Sequence, residues 1–286
     1  MSPPVAVLGA AGRSGRVICR ALAAAGIPVR ALVRRAGSKA ALPRGVEEVV
    51  VAPDPAAQAL ACAGARSVVS CAPAEASAAL LAALPKPLPH LVLLGSTRRY
   101  SRFPNARGQA VLALERAFAA SGAAGVLLYP TMIYGAEGEN NVRRIAALAR
   151  LGVVPLPGGG RSLIQPVHTE DVARAVAAAV LRRAVAEAPV VLAGPRPVAY
   201  ADFVRAVAQA AGRRVLILPV PLLAARAIAG LASLLPRLPR VGQDEVLRLA
   251  EDKDFDIGPA RRLLGFDPMP LEDGLALTFA GLDTGR

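Results

Sequence analysis

Val5-Ala6-Val7-Leu8-Gly9-Ala10-Ala11-Gly12-Arg13-Ser14-Gly15-Arg16-Val17-Ile18 opens the 286-residue chain with a short apolar run that breaks at Gly9. A glycine-rich turn follows, and a helical pattern then runs on to Gly26. Strand, turn and helix in this order give a glycine triplet its meaning as a phosphate-binding loop. Gly9 permits a sharp turn off the strand, Gly12 lets backbone approach a pyrophosphate, and Gly15 lets the helix pack close to the sheet. Backbone N–H groups and the dipole at the new helix's N-terminus favour the negative charge. Gly9, Ala11, Gly12, Arg13, Ser14 and Gly15 are therefore the candidate dinucleotide-binding residues; the alternative is a tight turn with no ligand.

The same alternation continues. Residues 27–33 read as a second strand, 46–51 as a third, and a helix begins near Pro55 with Asp54 as its N-cap. Further strands are expected at 67–70, 91–94 and 125–129, with helices at 74–84 and 105–121. Apolar strands that do not alternate, each followed by a helix, argue for a parallel sheet covered on both faces. The fold class is α/β: a doubly wound parallel sheet of the Rossmann type, completed by a smaller C-terminal lobe. Its ligand crevice lies at the carboxyl ends of the strands.

Arg34 and Arg35 end the second strand, and no Asp or Glu occurs before Glu47. A carboxylate at this strand end would bind the ribose 2′-hydroxyl of NAD, whereas arginine suits a 2′-phosphate. NADP is expected over NAD, with two solvated loop charges as the bland alternative.

Composition sets outer bounds. The formal net charge is +13, carried mostly by arginine, since only Lys39, Lys86 and Lys253 are lysines. Such a balance favours anionic partners: a phosphorylated cofactor, a nucleotide-linked substrate or a membrane surface. Ten aromatic residues and no basic helix dense enough to follow a phosphate backbone argue against nucleic acid. Cys19, Cys62 and Cys71 lack metal-ligand spacing, and no secretory n-region, h-region or cleavage site is present. A reduced, cytoplasmic protein without a metal is expected. The apolar stretch 219–236, bracketed by prolines and interrupted by Arg226, falls short of a bilayer span. It reads as an amphipathic or buried helix, with membrane-surface docking through 219–240, aided by Arg237 and Arg240, as the alternative.

The G-x-x-G-x-x-G spacing resembles the extended and atypical branches of the short-chain dehydrogenase/reductase superfamily. Pro130-Thr131-Met132-Ile133-Tyr134-Gly135 resembles their P-x-x-x-Y-G run, and Pro166-Val167-His168-Thr169-Glu170-Asp171-Val172-Ala173 their P-V-H-V-x-D-V-A passage. Leu263-Leu264-Gly265-Phe266-Asp267-Pro268 and Leu271-Glu272-Asp273-Gly274-Leu275 match the closing L-G-F-x-P and L-E-x-G-L signatures. The resemblance implies NAD(P)-dependent oxidoreduction or epimerisation of a small or nucleotide-linked substrate, and dimers formed through helices flanking the sheet. It implies that Cys71-Ala72-Pro73 pass beneath the cofactor and that Pro130 lies beside the nicotinamide. Ser96 and Thr97 match the hydroxyl that hydrogen-bonds the reacting oxygen, or else cap a loop. The implied division is 1–135 plus 162–192 for the dinucleotide domain and 136–161 plus 193–286 for the substrate lobe. Thr169 is expected to cap the helix that follows it; His168 is either part of that structural passage or a base.

One hallmark is missing. Typical members pair a tyrosine with a lysine four residues on, which lowers the phenol's pKa from about 10 and holds the ribose. None of the four tyrosines here has that lysine, and no lysine lies between Lys86 and Lys253. Set against the family pattern, Arg107 takes the tyrosine position and Val111 the lysine position. Three readings stay open: a substituted acid, with Tyr100 and Tyr134 as candidates helped by Arg98 or Arg107; a substrate so activated that it needs little acid help; or a non-catalytic NADP(H)-binding sensor or complex subunit.

Overall fold

The computed structural model describes residues 2–35, 42–103, 105–135, 141–221, 224 and 251–283. The chain begins as β1 (Val5–Leu8), α1 (Arg13–Ala24), β2 (Val29–Val33), β3 (Glu47–Val50) and α2 (Pro55–Ala61). It continues through β4 (Ser67–Ser70), α3 (Ala74–Ala83), β5 (His90–Leu94), α4 (Ala106–Ser121) and β6 (Gly125–Pro130). Local chemistry sets several of these boundaries. The Asp54 carboxylate accepts the Ala57 N–H at 2.8 Å to start α2, and the Asn105 side chain accepts the Gly108 N–H at 2.8 Å to start α4. Each cap satisfies a donor that the first helical turn leaves orphaned.

A more irregular part follows: β7 (Ile133–Tyr134), α5 (Asn141–Leu148), β8 (Val153–Pro157), β9 (Leu163–Ile164) and β10 (Val167–His168). Then come α6 (Thr169–Leu181), β11 (Val190–Leu192), β12 (Val198–Ala199), α7 (Tyr200–Ala210), β13 (Leu216–Val220), α8 (Gly258–Leu264) and α9 (Leu271–Asp283).

The central sheet runs β3-β2-β1-β4-β5-β6-β11, with every pair parallel. This is the doubly wound sheet expected from the sequence. Its strand order reverses between β1 and β4, which opens a crevice at their carboxyl ends. Alternate strand residues build two cores. Val5, Val7, Val69, Val92 and Leu128 meet α1 and α6 on one face, and Ala6, Leu8, Val68, Leu91 and Leu93 meet α3 and α4 on the other. Both faces are dry, which is why the strands read as continuous apolar runs.

A third core gathers Tyr134, Val142, Ile145, Val154, Leu156, Phe203, Val207 and Leu275 beside the sheet domain. Three local expectations change here. Residues 162–192 are expected in the sheet domain; α6 does return there, packing on α1, but the strand before it does not. It splits at Pro166 into β9, which pairs with β12, and β10, which pairs with β7; proline has no N–H to carry a ladder through. Thr169 is the first helical residue rather than the cap: His168 precedes it, and its Nδ1 accepts the Glu170 N–H at 3.3 Å. Ile257, Ala260, Leu264 and Phe266 pack into the first sheet core, although they fall within the range assigned to the second lobe. Apart from 224, residues 222–250 lie outside the described residues, and with them most of the apolar stretch and Arg237 and Arg240. Among the described residues no helix is long and apolar enough to cross a membrane.

Candidate functional site

The glycine loop leaves the carboxyl end of β1, beside the point where the strand order reverses. Gly9 leaves β1 at φ +79°, in the left-handed region, and a Cβ there would lie 3.1 Å from both Ala72 N and Cys71 C. A Cβ at Gly12 would come within 3.0 Å of Gly9 O; one at Gly15 would overlap that oxygen and stand 2.8 Å from Ala10 Cα. The turn closes with the Gly12 N–H donating to Gly9 O at 2.9 Å and the Arg16 N–H to Gly12 O at 3.0 Å. α1 starts with no side-chain cap and no acidic residue in its first turn. Ala11, Gly12 and Arg13 are exposed, Ser14 is half-buried and Gly15 is buried. The turn sets small residues and backbone at the positive end of a helix dipole, an arrangement that could hold a pyrophosphate.

The other expected residues gather along the same edge of the sheet. Cys71, Ala72 and Pro73 follow β4 and press on Gly9, with the Cys71 N–H donating to Leu8 O at 2.9 Å. Arg34 and Arg35 follow β2 and are exposed. Pro130 is buried at the end of β6. No thiol is activated: burial pushes Cys19 up to about 12 and Cys62 up to about 11, and moves Cys71 upward too. Among the described residues no group of three His, Cys, Asp or Glu could hold a metal ion.

The end of β5 is arranged differently. Ser96 caps a single 3-10 turn (Thr97–Tyr100), its Oγ accepting the Arg98 N–H at 3.3 Å. Its hydroxyl keeps its own proton to donate. Tyr100 is half exposed. Its ring lies 5.9 Å from that of Tyr129 and 6.1 Å from that of Phe255, and the Arg99 guanidinium stands 5.9 Å over it. Burial first and the Glu115 carboxylate second raise its phenol above the usual value, against the pull of Arg99. The neighbouring charges are thus Arg99 and Glu115, paired at 3.3 Å, rather than Arg98 or Arg107. Tyr129 is fully buried and donates its hydroxyl to Glu115 at 2.9 Å. Val111, at the lysine position, is buried in the core, with its Cγ1 3.2 Å from where a Gly95 Cβ would sit.

Tyr134 lies apart from that group. It is buried in the third core, its hydroxyl 3.5 Å from Leu271 O and tight against Gly274. Burial raises its phenol strongly, and Asp171, Glu272 and Asp273 add to the rise. Its ring meets His168 edge-on at 5.2 Å. His168 is itself buried, which lowers it to about 4, with Arg174 adding to the fall; its Nε2 has no hydrogen-bond partner among the described residues.

A strap at 251–257 went unread in the sequence. Glu251 accepts from Ser101 Oγ at 2.8 Å and from the Arg102 N–H at 2.6 Å. Asp252 accepts the Leu163 N–H at 2.8 Å, and the Phe255 N–H donates to the buried Gln165 Oε1 at 2.8 Å. The strap therefore ties the loop after β5 to β9 and sets Phe255 against Tyr100. No local signal announces it, since its partners lie far away in sequence. A cavity of about 310 Å³ opens between Pro166, Pro195, Arg196, Val198, Leu271 and Glu272; none of the expected site residues lines it.

No family model matches the sequence, and no curated protein matches it. Solved structures do match in shape. UDP-glucose 4-epimerase from Thermotoga maritima, solved with UDP-glucose, superposes with a TM-score of 0.75 at 16% identity, over 99% of each chain. UDP-glucuronic acid 4-epimerase from Bacillus cereus, in complex with UDP-glucuronic acid and NAD, gives 0.73 at 14%, over 99% of this chain and all of that one. The protein gox2253 gives 0.77 at 19%, over 99% and 98%. The fold is the one these epimerases have. At such identities the likeness is one of fold.

Proposed function

We propose that the chain binds a nicotinamide dinucleotide across the β1–β4 switch point. On this reading it is an oxidoreductase or epimerase of the extended or atypical short-chain type, acting on a small or nucleotide-linked substrate. The observation that carries the proposal is the turn of Gly9, Gly12 and Gly15, where Gly9 sits at positive φ, a Cβ at Gly12 would crowd Gly9 O and one at Gly15 would overlap it. The epimerases of similar fold, solved with UDP-glucuronic acid and NAD and with UDP-glucose, support the same class of ligand.

Gly9 to Gly15 would hold the pyrophosphate, Cys71-Ala72-Pro73 would line the crevice beside it, and Pro130 would wall the far end. Arg34 and Arg35 would receive a 2′-phosphate, so NADP is favoured although the similar complexes name NAD. When bound, the nicotinamide supplies a site that takes up or gives up hydride. Ser96 and Thr97 offer hydroxyls to orient the reacting oxygen. Tyr100, protonated at neutral pH, is the group that can donate a proton to it, without the lysine that would draw that proton away. Two observations favour the sensor or subunit reading as a second possibility: the lysine position is an apolar core residue, and Tyr134 is sealed in the third core.

The test is a paired titration of the purified chain with NADPH and NADH, followed by nicotinamide fluorescence at fixed salt. Binding of NADPH about tenfold tighter than NADH, with the preference lost in Arg34→Ala, is expected for one charge-assisted contact. Binding of neither dinucleotide overturns the proposal. Equal binding, unchanged by Arg34→Ala, overturns the NADP assignment alone.

A further inference from the structure

We propose that the ladder formed by β8 and β13 is a docking surface for an anionic lipid bilayer. The two strands pair in parallel, Leu216 beside Val153 and Leu218 beside Pro155. Period-two alternation divides their side chains between two faces. Val154 and Leu156 turn inward to the third core, with Ile217 packed against it. The other face meets water: Leu216 is 66% exposed, Leu218 47% and Val153 39%, Pro155 is also exposed, and Leu151 just ahead of β8 is 73% exposed. Single exposed apolar residues need no explanation, but a contiguous set rimmed by charge marks an interaction surface.

The charge says which surface. Arg150 precedes β8 by a short step, and Arg213 and Arg214 precede β13. Because the strands are parallel, with the Leu216 N–H donating to Gly152 O at 2.9 Å, these arginines stand at the same end of the apolar ladder. The segments 141–169 and 203–221, which build this side of the lobe, hold Arg143, Arg144, Arg150, Arg161, Arg205, Arg213 and Arg214 and no Asp or Glu. All seven are exposed, and among the described residues Arg205 is the one of them with a carboxylate partner, Asp202 at 2.7 Å. A second copy of this face would meet it with like charge, which disfavours a dimer here. Anionic headgroups are the complementary partner: apolar side chains enter the acyl boundary while guanidinium groups stay at the phosphates.

The experiment is flotation of the full chain with vesicles of phosphatidylcholine alone and of phosphatidylcholine carrying about one-third phosphatidylglycerol. Two variants accompany it, Leu216→Ser/Leu218→Ser and Arg213→Glu/Arg214→Glu. Both alter exposed positions, and an unchanged thermal midpoint confirms that each is folded. The expected result is partition into the anionic vesicles alone, reduced about tenfold or more in each variant. Failure of the parent chain to float with anionic vesicles overturns the proposal, as does flotation that neither variant weakens. A dimer of the parent chain in light scattering, lost in Leu216→Ser/Leu218→Ser, would assign the face to a second copy instead and overturn it equally.

Discussion

The two ends of the crevice are built by different means. At the glycine-loop end the backbone sets the shape: Gly9 turns in the left-handed region, a Cβ at Gly12 would crowd Gly9 O at 3.0 Å, and one at Gly15 would overlap that oxygen. At the other end side chains define it. Ser96 caps a turn, Tyr129 is held by Glu115, and Tyr100 leans on a phenylalanine from a strap 155 positions away. A site made of backbone is fixed by sequence-adjacent residues. A site made of side chains depends on whatever the fold delivers from elsewhere.

The largest effect that separates the two ends is expected from Gly15→Val. Its Cβ would overlap Gly9 O, so either the loop or α1 must shift. Overpacking of this kind costs about 1–3 kcal/mol of stability, and the displaced cradle should lose at least about a hundredfold in dinucleotide affinity. Isothermal titration and urea unfolding measure the two. Unaltered affinity in a folded variant would mean that no ligand needs the close approach, and the contrast between the ends would collapse.

The same contrast explains what the sequence made legible. The order of strands, the glycine turn, the caps at Asp54 and Asn105 and the absence of lysine from 87 to 252 all follow from residues near one another in the chain. Three features do not. The strap from Glu251 to Phe255 acts through partners roughly 90 to 150 residues distant. The division at Pro166 depends on which strands happen to lie alongside. The cap on α6 went to His168 because imidazole Nδ1 reached the Glu170 N–H, a role that serine or threonine usually takes. Tyr134 shows the same difficulty from the other side. Its motif made it a candidate acid, and only packing reveals it buried against Gly274.

Tyrosine substitutions sharpen the comparison at the reaction end, with a somewhat smaller effect. If the chain turns over through a substituted acid, Tyr100→Phe should lower kcat by about a hundredfold, the low end for loss of a general acid. Tyr134→Phe should leave kcat within about twofold, because its hydroxyl makes only a 3.5 Å contact with a backbone carbonyl away from the β5 end. Steady-state kinetics with NADPH and a panel of carbonyl substrates reads both. Full activity in Tyr100→Phe removes the acid role. Equal losses in the two variants would move the chemistry toward the third core.

The smallest effect concerns the boundary between the sheet domain and that third core, where His168 is buried at the start of α6. Burial lowers it from its ordinary value of 6.5 to about 4, so the native state holds the neutral ring. A base whose folded pKa is depressed contributes its full stability above the unfolded value and loses it as pH falls from about 6.5 toward 4. Between pH 7 and pH 5 the linkage amounts to about 2 kcal/mol. Asp171, also buried and raised mainly by that burial against the pull of Arg174, works in the opposite sense. A variant isolates the histidine from these neighbours. His168→Asn keeps a side-chain oxygen able to cap the Glu170 N–H but cannot titrate. Urea unfolding at pH 7 and pH 5 should therefore show a drop in the parent chain about 2 kcal/mol larger than in His168→Asn. Equal drops would mean that protonated imidazole is tolerated at this boundary. The third core would then be a looser body than the sheet domain, opening to admit water at the seam where Tyr134 and His168 meet.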